Sequence, residues 1–527
     1  MEIKSISPQL SVSPQIQPGE IPAIAAAGYR SIICNRPDGE EADQPIAAAI
    51  AEAAQRSGLA FTHLPVVAGK ISETDALLMA NALASLPAPV LAFCRTGNRS
   101  EKLAAMASAA ARREDGDLHH DIVIVGGGSA GIATAASIRR RDQSVTIAII
   151  EPSDDHYYQP GWTMVGAGVF DAPFTHRPEA GLIPNGVEWI KGAVAAFDPD
   201  ANRVELTDKR RIGYDVLIVC PGIKLDWDAI PGLAATLGEN GVTSNYRYDL
   251  APYTNKLVRQ FKGGTAIFTQ PPMPIKCAGA PQKAMYLSCH RWEQSGTLAA
   301  ADVQFHSAGA VLFGVPDYVP ALMDYVERYG IDLNFESKLI AIDGPGRTAT
   351  FEQCRGDEVA TIEQRFDMIH VVPPQVAPDF VRASPLAAPS GFVAVDEATL
   401  RHPSYPNIFA LGDACAAPNA KTAAAARKQA PVVAVNALAA LAGKPPVADY
   451  DGYGSCPLTV EAGKIVLAEF GYGGKLLPSF PSWLIDGTRP SRLSWLLKDT
   501  ILPPVYWHGM LKGREWMAKP HIIGAEG

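Results

Sequence analysis

The chain has 527 residues, a length that predicts about two to four domains rather than one. Hydrophobic residues make up 47% of it and charged residues 19%, as in a globular protein with a large core. The formal net charge of −9 argues against nucleic acid as a partner, since no basic excess is available to neutralise phosphates.

The first residues lack the apolar stretch of a secretory signal, and no run of about 18 apolar residues could span a bilayer. We therefore expect a cytoplasmic protein. The eight cysteines are dispersed and lack zinc-ligand spacing, so neither a metal site nor a small disulfide scaffold is predicted.

Residues 1–113 predict a small α/β domain, because short apolar strands alternate with alanine-rich helices. Strands are predicted within 29–37 and 59–66, and helices within 46–58 and 74–85. A further apolar strand ends at Phe93 and leads into a loop that carries chemistry.

That loop, CRTGNRS, carries Cys94 and Arg99 ahead of a predicted helix. Loop amides and arginines stabilise an anionic sulfur, so we expect Cys94 to carry a thiolate or a persulfide. Protein tyrosine phosphatase loops have one more residue between cysteine and arginine than the four found here, a shorter spacing that is typical of rhodaneses. Asp38, in RPDG, is either a general acid or a turn residue.

The segments NRPDGEE, HLPV and CRTGNRS resemble a family of small bacterial proteins with a dual-specificity-phosphatase-like fold, often described as sulfur transferases. The resemblance implies sulfur transfer at Cys94, with Arg99 in the anion-binding loop. A phosphatase or a regulatory domain is the alternative.

A polar, charged segment at 108–121 marks a domain boundary, and we predict a linker at 114–120. Residues 121–445 again alternate strands and helices, as in doubly wound sheets. Residues 446–527 are rich in proline, glycine and aromatics and are predicted to form a separate C-terminal region.

A dinucleotide fingerprint opens the larger region. A buried strand at 122–125 is followed by a glycine turn and a helix of small residues, which would direct its N-terminus at a pyrophosphate. Glu151 ends the next strand, twenty residues past the last glycine, where a carboxylate binds ribose hydroxyls. The predicted contacts at the turn are Gly126, Gly128, Ser129, Ala130 and Gly131.

Two later segments indicate that the dinucleotide is FAD. The strand at 405–414 ends in Gly412-Asp413 and resembles the second fingerprint of flavoproteins that have two dinucleotide domains. The strand at 214–222, which ends in Pro221-Gly222, resembles their return strand. A helix that begins near Lys421 and Thr422 would direct its positive end at the flavin ring, although a simple capping role fits these two residues equally well.

The corresponding second nucleotide unit lacks its glycine fingerprint. Its strand at 265–270 leads into PPMPIKCAGAPQKA, and proline has no N–H to offer a pyrophosphate. We therefore expect that this unit binds no nicotinamide cofactor and that the electron donor is one that reacts with Cys277.

Four segments in the right order resemble the sulfide:quinone oxidoreductase family, in the branch that includes the mitochondrial enzyme. They are EPSDDHYYQPGWTMVGAG (151–168), IKCAGAPQKAMYLS (275–288), LGDACAAPNAKTAAA (411–425) and DYDGYGSCPL (449–458). The resemblance implies an enzyme that oxidises sulfide with FAD and two redox cysteines, holds the sulfur as a persulfide, and reduces a membrane quinone. It also implies a low-molecular-weight acceptor for the sulfane sulfur. An acceptor of electrons other than quinone, a c-type cytochrome or NAD, is the alternative.

The resemblance assigns the persulfide to Cys277 and makes Cys415 the candidate partner facing the flavin. The family places that cysteine directly after Gly-Asp, where this chain has Ala414, so another pairing stays open. Cys220 is either a core residue or a third redox thiol, and Cys456 is expected to be structural. Gln159 belongs to a segment that lies along the flavin in the family.

The C-terminal segment 491–520 places leucines at helical spacing beside tryptophans and cations. With the family's membrane-bound C-terminal helices, this predicts peripheral attachment to the cytoplasmic side of the inner membrane. Pro503 and Pro504 are expected to break the segment into two helices. The sequence is compatible with an oligomer.

Overall fold

The computed structural model describes residues 3–7, 9–114, 118–356 and 358–524. Its contacts divide the chain into two compact units, Met1–His119 and His120–Gly527. Residues 118–120, which the sequence predicts as linker, belong to the first strand of the larger α/β region, and residues 115–117 lie outside the described residues.

The N-terminal unit is built on one five-stranded sheet, in the order β1-β2-β5-β3-β4. Its strands are β1 (Lys4–Ser7), β2 (Leu10–Ser13), β3 (Ser31–Cys34), β4 (Ala60–His63) and β5 (Val90–Phe93), and its helices are α1 (Ile21–Ala26), α2 (Ala47–Arg56), α3 (Glu73–Ser85) and α4 (Asn98–Glu114). All neighbours are parallel except β1 and β2. Ile32 and Ile33, adjacent on β3, pack into different apolar clusters, so both faces of the sheet are buried.

From residue 118 onward the strands are β6 (Leu118–Val125), β7 (Ile147–Ile150), β8 (Asp155–Tyr157), β9 (His176–Pro178), β10 (Val187–Ile190), β11 (Val194–Asp198), β12 (Arg203–Leu206), β13 (Arg211–Val219), β14 (Lys224–Leu225), β15 (Val242–Thr243), β16 (Gly264–Gln270), β17 (Ala301–Ser307), β18 (Asp332–Asn334), β19 (Ser337–Asp343), β20 (Thr348–Arg355), β21 (Glu358–Arg365), β22 (Met368–His370), β23 (Gln375–Val376), β24 (Ile408–Ala410), β25 (Ala448–Asp449), β26 (Gly454–Glu461), β27 (Lys464–Phe470) and β28 (His521–Ile522). The helices are α5 (Ser129–Arg141), α6 (Trp162–Gly166), α7 (Leu233–Thr236), α8 (Ala251–Gln260), α9 (Ala280–Ser295), α10 (Val319–Tyr329), α11 (Asp379–Arg382), α12 (Ala423–Leu441), α13 (Arg492–Leu496) and α14 (Leu502–Pro504).

Two sheets organise this second unit. The first runs β10-β7-β6-β13-β12-β11, with β24 parallel to β13. The second runs β15-β22-β16-β17-β18 and is parallel throughout. Strands such as β7 and β24 are buried at every position, as parallel strands covered on both faces must be. The strands predicted around the two FAD-type segments and at 265–270 are confirmed.

The C-terminal region packs on the rest of the second unit. The β26–β27 hairpin packs on α9, and Cys456 and Leu458 share an apolar cluster with Met285 of that helix. Its strands therefore complete the core of the second nucleotide-type unit.

The predicted break at Pro503 and Pro504 is wrong, since the chain stays helical from α13 through residue 512. π-helical turns at Leu497–Ile501 and Val505–Gly509 flank α14, and Pro503 and Pro504 are the last two residues of α14. Among the described residues, no helix is both long and apolar enough to cross a bilayer.

Candidate active site

The loop between β16 and α9 holds Cys277 in a strained conformation. Its φ of 52° lies in the left-handed region, which non-glycine residues rarely adopt. The Cys277 amide donates to the Lys421 carbonyl at 2.8 Å, and the Tyr246 hydroxyl donates to the carbonyl oxygens of Lys276 and Cys277 at 3.1 and 3.3 Å. These bonds hold the half-buried thiol in place beside the segment that precedes α12.

The nearest described cysteine sulfur belongs to Cys456, at 3.5 Å from the Cys277 sulfur. Gly279 makes this approach feasible, because a Cβ at that position would lie 2.6 Å from the Cys456 sulfur and would also overlap Leu458. Cys456, which the sequence indicates as structural, therefore lies in contact with Cys277. The one feature of the sequence that could have indicated a role for Cys456 at this site is its place in the segment DYDGYGSCPL.

Buried ammonium groups surround the two thiols. Lys283, one turn into α9, places Nζ 3.1 Å from the Cys277 sulfur. Lys498, from the π-helical turn of the C-terminal segment, is also buried and donates to Thr459 Oγ1 at 3.3 Å. Sequence reasoning missed both lysines, since nothing in their local pattern marks them.

The hydrogen bond between the two cysteines shifts their pKa values in opposite directions. A hydrogen bond from Cys456, helped by the charge of Lys283, holds the pKa of Cys277 well below that of a free thiol although burial opposes this. The same hydrogen bond, together with burial, raises the pKa of Cys456 well above its usual value. Burial and the charge of Lys283 lower the pKa of Lys498 to about 7. The contact of Lys283 with the Cys277 sulfur thus favours Cys277 as the anionic sulfur of the pair.

Cys415, the expected partner, points elsewhere. Its sulfur donates to the Gly412 carbonyl at 3.2 Å and is fully buried in the apolar cluster of the dinucleotide sheet, whereas Cys277 packs against a different cluster. Burial raises the pKa of the Cys415 thiol. The structure therefore brings Cys456, and not Cys415, to Cys277.

Cys220 is a core residue. Its sulfur lies 3.7 Å from the Gly126 carbonyl, and burial raises the pKa of this thiol. The core interpretation fits it better than that of a third redox thiol.

The glycine turn after β6 fits a dinucleotide. Gly126 has φ +109°, and a Cβ on Gly131 would overlap the Gly126 carbonyl, so both positions require glycine. Nothing lies within 4 Å of a Cβ on Gly128, which leaves open space where a pyrophosphate would bind. Ser129 and Ala130 begin α5, whose N-terminus faces this space.

Glu151 and the second FAD-type segment lie at the same turn. Glu151 accepts a hydrogen bond from the Gly127 amide at 2.7 Å. A Cβ on Gly412 would lie 3.2 Å from the Ala130 methyl group, so the two fingerprints are adjacent in space. Pro221 and Gly222 follow β13, and Gly222, with φ +81°, has open space around it.

The remaining predicted contacts cluster at the start of α12. Thr422 caps this helix by accepting from the Ala425 amide at 3.1 Å, as in the capping interpretation. Lys421 Nζ donates to the carbonyls of Asp413 and Cys415 at 2.8 Å each. Burial raises the pKa of the Asp413 carboxyl, although Lys421 and Lys276 oppose it.

Gln159 is tied to the cysteine loop, because its side-chain oxygen accepts from the Lys276 ammonium. Burial lowers the pKa of Lys276 to about 8. This contact joins the segment at 151–168 to the loop that carries Cys277.

The C-terminal segment also reaches the dinucleotide turn, which the sequence did not indicate. The hydroxyl of Tyr506 lies 2.7 Å from Ser129 Oγ and 2.6 Å from His156 Nε2. The other ring nitrogen of His156 contacts Glu179 at 2.9 Å. Tyr506, Met510 and Leu511 are buried in the core of the dinucleotide sheet, so this half of the expected membrane helix is core.

The N-terminal unit places Cys94 at the end of β5, where it is buried. Arg99 donates to the Val66 carbonyl at 2.6 Å and forms an ion pair with Glu40 at 2.9 Å. Asp38 accepts from the Ala47 amide at 2.7 Å, which favours the turn interpretation over a general acid. Gly97, with φ +86°, forms the turn between Cys94 and α4.

Comparisons with known proteins cover both units. A model of the phosphatase-like domain of beta-lactamase hydrolase-like proteins matches residues 2–111, and a model of pyridine nucleotide-disulphide oxidoreductases matches residues 120–259. The beta-lactamase hydrolase-like protein of Xylella fastidiosa (strain Temecula1) is 40% identical over 107 residues, or 20% of this chain and 25% of that protein.

The larger unit matches most of the length of curated relatives. The mitochondrial sulfide:quinone oxidoreductase of Dictyostelium discoideum is 42% identical over 375 residues, or 71% of this chain and 81% of that protein. The crystal structure of the sulfide:quinone oxidoreductase of Aquifex aeolicus superposes with a TM-score of 0.63 over 75% of this chain and 92% of that one, at 20% identity, which supports the fold.

These matches confirm the mixed α/β fold, with a phosphatase-like domain before FAD-type Rossmann domains, and they confirm FAD as the cofactor. The chain belongs to the sulfide:quinone oxidoreductase family and is a FAD-dependent oxidoreductase.

Proposed function

We propose that this enzyme collects the sulfur of sulfide on Cys277 as a persulfide and passes two electrons through FAD to a membrane quinone. The observation that carries the proposal is the position of the Cys277 sulfur, 3.1 Å from the buried ammonium of Lys283. Reactive cysteines are found in such electropositive, partly exposed surroundings.

The protein's own residues bind and orient the reactants. Lys283 and Lys498 attract the hydrosulfide anion and stabilise the thiolate form of Cys277. The hydrogen bonds from the Cys277 amide to Lys421 and from the Tyr246 hydroxyl to the Cys277 carbonyl orient the Cys277 side chain. The predicted contacts at Gly128, Glu151 and Asp413 would hold FAD. When bound, FAD would accept the electron pair.

Quinone is the acceptor that the C-terminal segment favours. Leu493, Leu496 and Ile501 expose between 46 and 48% of their surface, and Trp483 exposes 82%. Apolar side chains at this spacing on a helix that lies on the protein surface suit a membrane interface. We place the enzyme on the cytoplasmic face of the inner membrane, in contact with the lipid through this segment.

The N-terminal unit is proposed to receive sulfane sulfur on Cys94, and a low-molecular-weight thiol or sulfite is the other acceptor. The short loop with Arg99 at the start of α4 supports this assignment over a phosphatase. Because Arg99 is paired with Glu40, an incoming persulfide anion would compete with that carboxylate for the guanidinium.

We expect Cys277→Ser to lower the rate of flavin reduction by sulfide at least 100-fold, because the sulfur-accepting thiolate is gone. Anaerobic bleaching of the flavin absorbance measures this rate. Cys354→Ser, on β20, serves as the control. NADH should not bleach the wild-type flavin, and full bleaching of the Cys277→Ser variant by sulfide would refute the assignment.

The reactivity of Cys277 should persist at low pH. Because its pKa is held below that of a free thiol, the thiolate fraction, and with it the alkylation rate, should fall only at a lower pH than for an ordinary cysteine. Lys283→Met removes the neighbouring positive charge and should move the alkylation profile to higher pH. Iodoacetamide labelling of the reduced protein, read by peptide mass, measures both profiles, and identical profiles would contradict the role of Lys283.

Membrane attachment should depend on the exposed leucines. Because only 48% of each leucine is exposed, the double variant Leu493→Ser/Leu496→Ser loses about 0.7–1.5 kcal/mol of burial per side chain, so vesicle binding should weaken at least tenfold. Co-sedimentation with phosphatidylcholine–phosphatidylglycerol vesicles measures it. Val359→Ser, equally apolar and 65% exposed on β21, is the control. Equal binding of both variants would contradict the proposed surface.

Sulfur relay predicts a persulfide on Cys94 after turnover with sulfide and quinone. Cys94→Ser should abolish that signal and leave flavin bleaching unchanged, since the reaction at Cys277 does not require it. Mass spectrometry of alkylated peptides detects the extra sulfur. Turnover that loads Cys277 but never Cys94 would exclude the relay.

A further inference from the structure

We propose that Tyr506 of the C-terminal segment is a positioning residue for FAD, because it holds the Ser129 hydroxyl as a hydrogen-bond donor toward the pyrophosphate at the glycine turn. Retention of FAD is the property that Tyr506 controls, and it is independent of the sulfide chemistry proposed at Cys277. Four side chains that begin and end at the glycine turn carry the effect.

These four side chains, called the turn network below, are Glu179, His156, Tyr506 and Ser129. The Tyr506 hydroxyl lies 2.7 Å from Ser129 Oγ and 2.6 Å from His156 Nε2. The His156 Nδ1 atom lies 2.9 Å from Glu179 Oε2. The other carboxylate oxygen, Glu179 Oε1, is buried without a partner among the described residues, and it would lie 2.5 Å from a Cβ on Gly127. Both ends of the turn network therefore reach the glycine turn.

The Ser129 end of the turn network is the end that meets open space. Tyr506, His156 and Glu179 expose 4%, 3% and 1% of their surface. Ser129 is half-buried and begins α5 beside Gly128, where the space is open. Hydrogen bonds in a buried chain polarise one another, so the protons held by the buried groups decide what the Ser129 hydroxyl offers to a ligand.

One additional proton on the pair of His156 and Glu179 gives the direction that suits an anion. With both ring nitrogens protonated, His156 donates to the Glu179 carboxylate and to the Tyr506 oxygen. Tyr506 then donates to Ser129, which leaves the Ser129 proton for a phosphate oxygen. Without that proton, Nε2 accepts from Tyr506 and Tyr506 accepts from Ser129, so that only oxygen lone pairs would face the anion.

The surroundings of Glu179 favour the additional proton. Burial raises the pKa of the Glu179 carboxyl and the charge of Glu151 adds to this, although His156 opposes it. Arg177, the register partner of His156 on β9, lies over the Trp507 ring at 4.2 Å, and no ion pair with Glu179 is found among the described residues. His156 is thus the partner that compensates the buried carboxyl.

Further contacts hold the C-terminal segment against α5. Gly513, with φ +65°, packs on the helix backbone, since a Cβ there would lie 2.7 Å from the Ala136 carbonyl. Glu515 accepts from Ser137 Oγ at 2.7 Å. The segment therefore follows α5 toward its N-terminus, and Tyr506 makes the contact at the end that faces the pyrophosphate.

The variant Tyr506→Phe tests the proposal, because it removes the hydroxyl and keeps the ring that packs in the dinucleotide core. We expect FAD to leave the holoenzyme at least tenfold faster, since Ser129 loses its orientation toward a charged group. The rise in flavin fluorescence after dilution measures the release rate. Tyr214→Phe is the control, because Tyr214 is buried in the same core and its hydroxyl has no partner among the described residues. Equal release from Tyr506→Phe and wild type would overturn the proposal.

The Ser129→Ala variant separates positioning from a general loss of stability. It should release FAD at least as fast as Tyr506→Phe, and the double variant should be no faster than Ser129→Ala alone, because both changes remove one interaction. Effects that multiply in the double variant would show that Tyr506 acts apart from Ser129 and would refute the positioning role. A wild-type release rate in Ser129→Ala would refute it as well.

Replacement of His156 gives a further readout. The amide of His156→Gln can still donate to Tyr506, so this variant should release FAD within threefold of the wild-type rate. His156→Leu has no such donor and should release FAD at least tenfold faster. Equal release from the two variants would contradict a role through hydrogen bonding.

FAD release is measured without sulfide or quinone, so a failure of the proposed sulfide chemistry leaves these outcomes unaffected. If Tyr506→Phe retains FAD as the wild type does while Cys277→Ser abolishes bleaching by sulfide, only the positioning role of Tyr506 is wrong.

Discussion

The backbone conformation of Cys277 is the constraint on which the site depends. A non-glycine residue with φ near 52° carries a conformational cost of about 1–3 kcal/mol. The hydrogen bond from the Cys277 amide to the Lys421 carbonyl and the two hydrogen bonds from the Tyr246 hydroxyl offset that cost. The first of them also ties the loop to the start of α12. As a result, one thiol is held where the second nucleotide unit, the flavin-binding segments and the C-terminal hairpin converge.

The electrostatics of the site follow from burying two lysines around this thiol. Burial lowers the pKa of the Lys498 ammonium group, and repulsion by the buried ammonium group of Lys283 lowers it further. An anion between them relieves both costs. The Cys277 thiolate supplies one negative charge, and a hydrosulfide ion supplies a second on arrival. Such a site would suit the small anionic nucleophile of the proposed function.

The sequence predicted the features whose residues lie close together along the chain, because the spacing of those residues is enough to identify them. The strand, glycine turn, helix and acid from 122 to 151 lie within one stretch, as does the proline-rich replacement of the second fingerprint. Cys456 and Tyr506 were missed because their partners are far along the chain. Cys456 is 179 residues from Cys277, and Tyr506 is 377 residues from Ser129. Only the folding of the C-terminal hairpin and helical segment onto the nucleotide units creates these contacts.

The same distance in sequence explains why amphipathic spacing misjudged half of the C-terminal segment. Leucines at 493 and 496 and the aromatic group at 506–507 follow one helical pattern, yet the first are exposed and the second are buried against the dinucleotide sheet. One apolar stripe thus has an exposed half and a half that is buried against the dinucleotide sheet. The prolines and the π-helical turns lie between these two halves. The buried half anchors the segment through Tyr506 at the start of α5, so the exposed half is held on a rigid base rather than on a free tail. Lys498 sits between the halves and reaches back toward the thiols. A membrane contact on the exposed half would therefore be joined, through a single short segment, to the lysine that lies near Cys277 and Cys456.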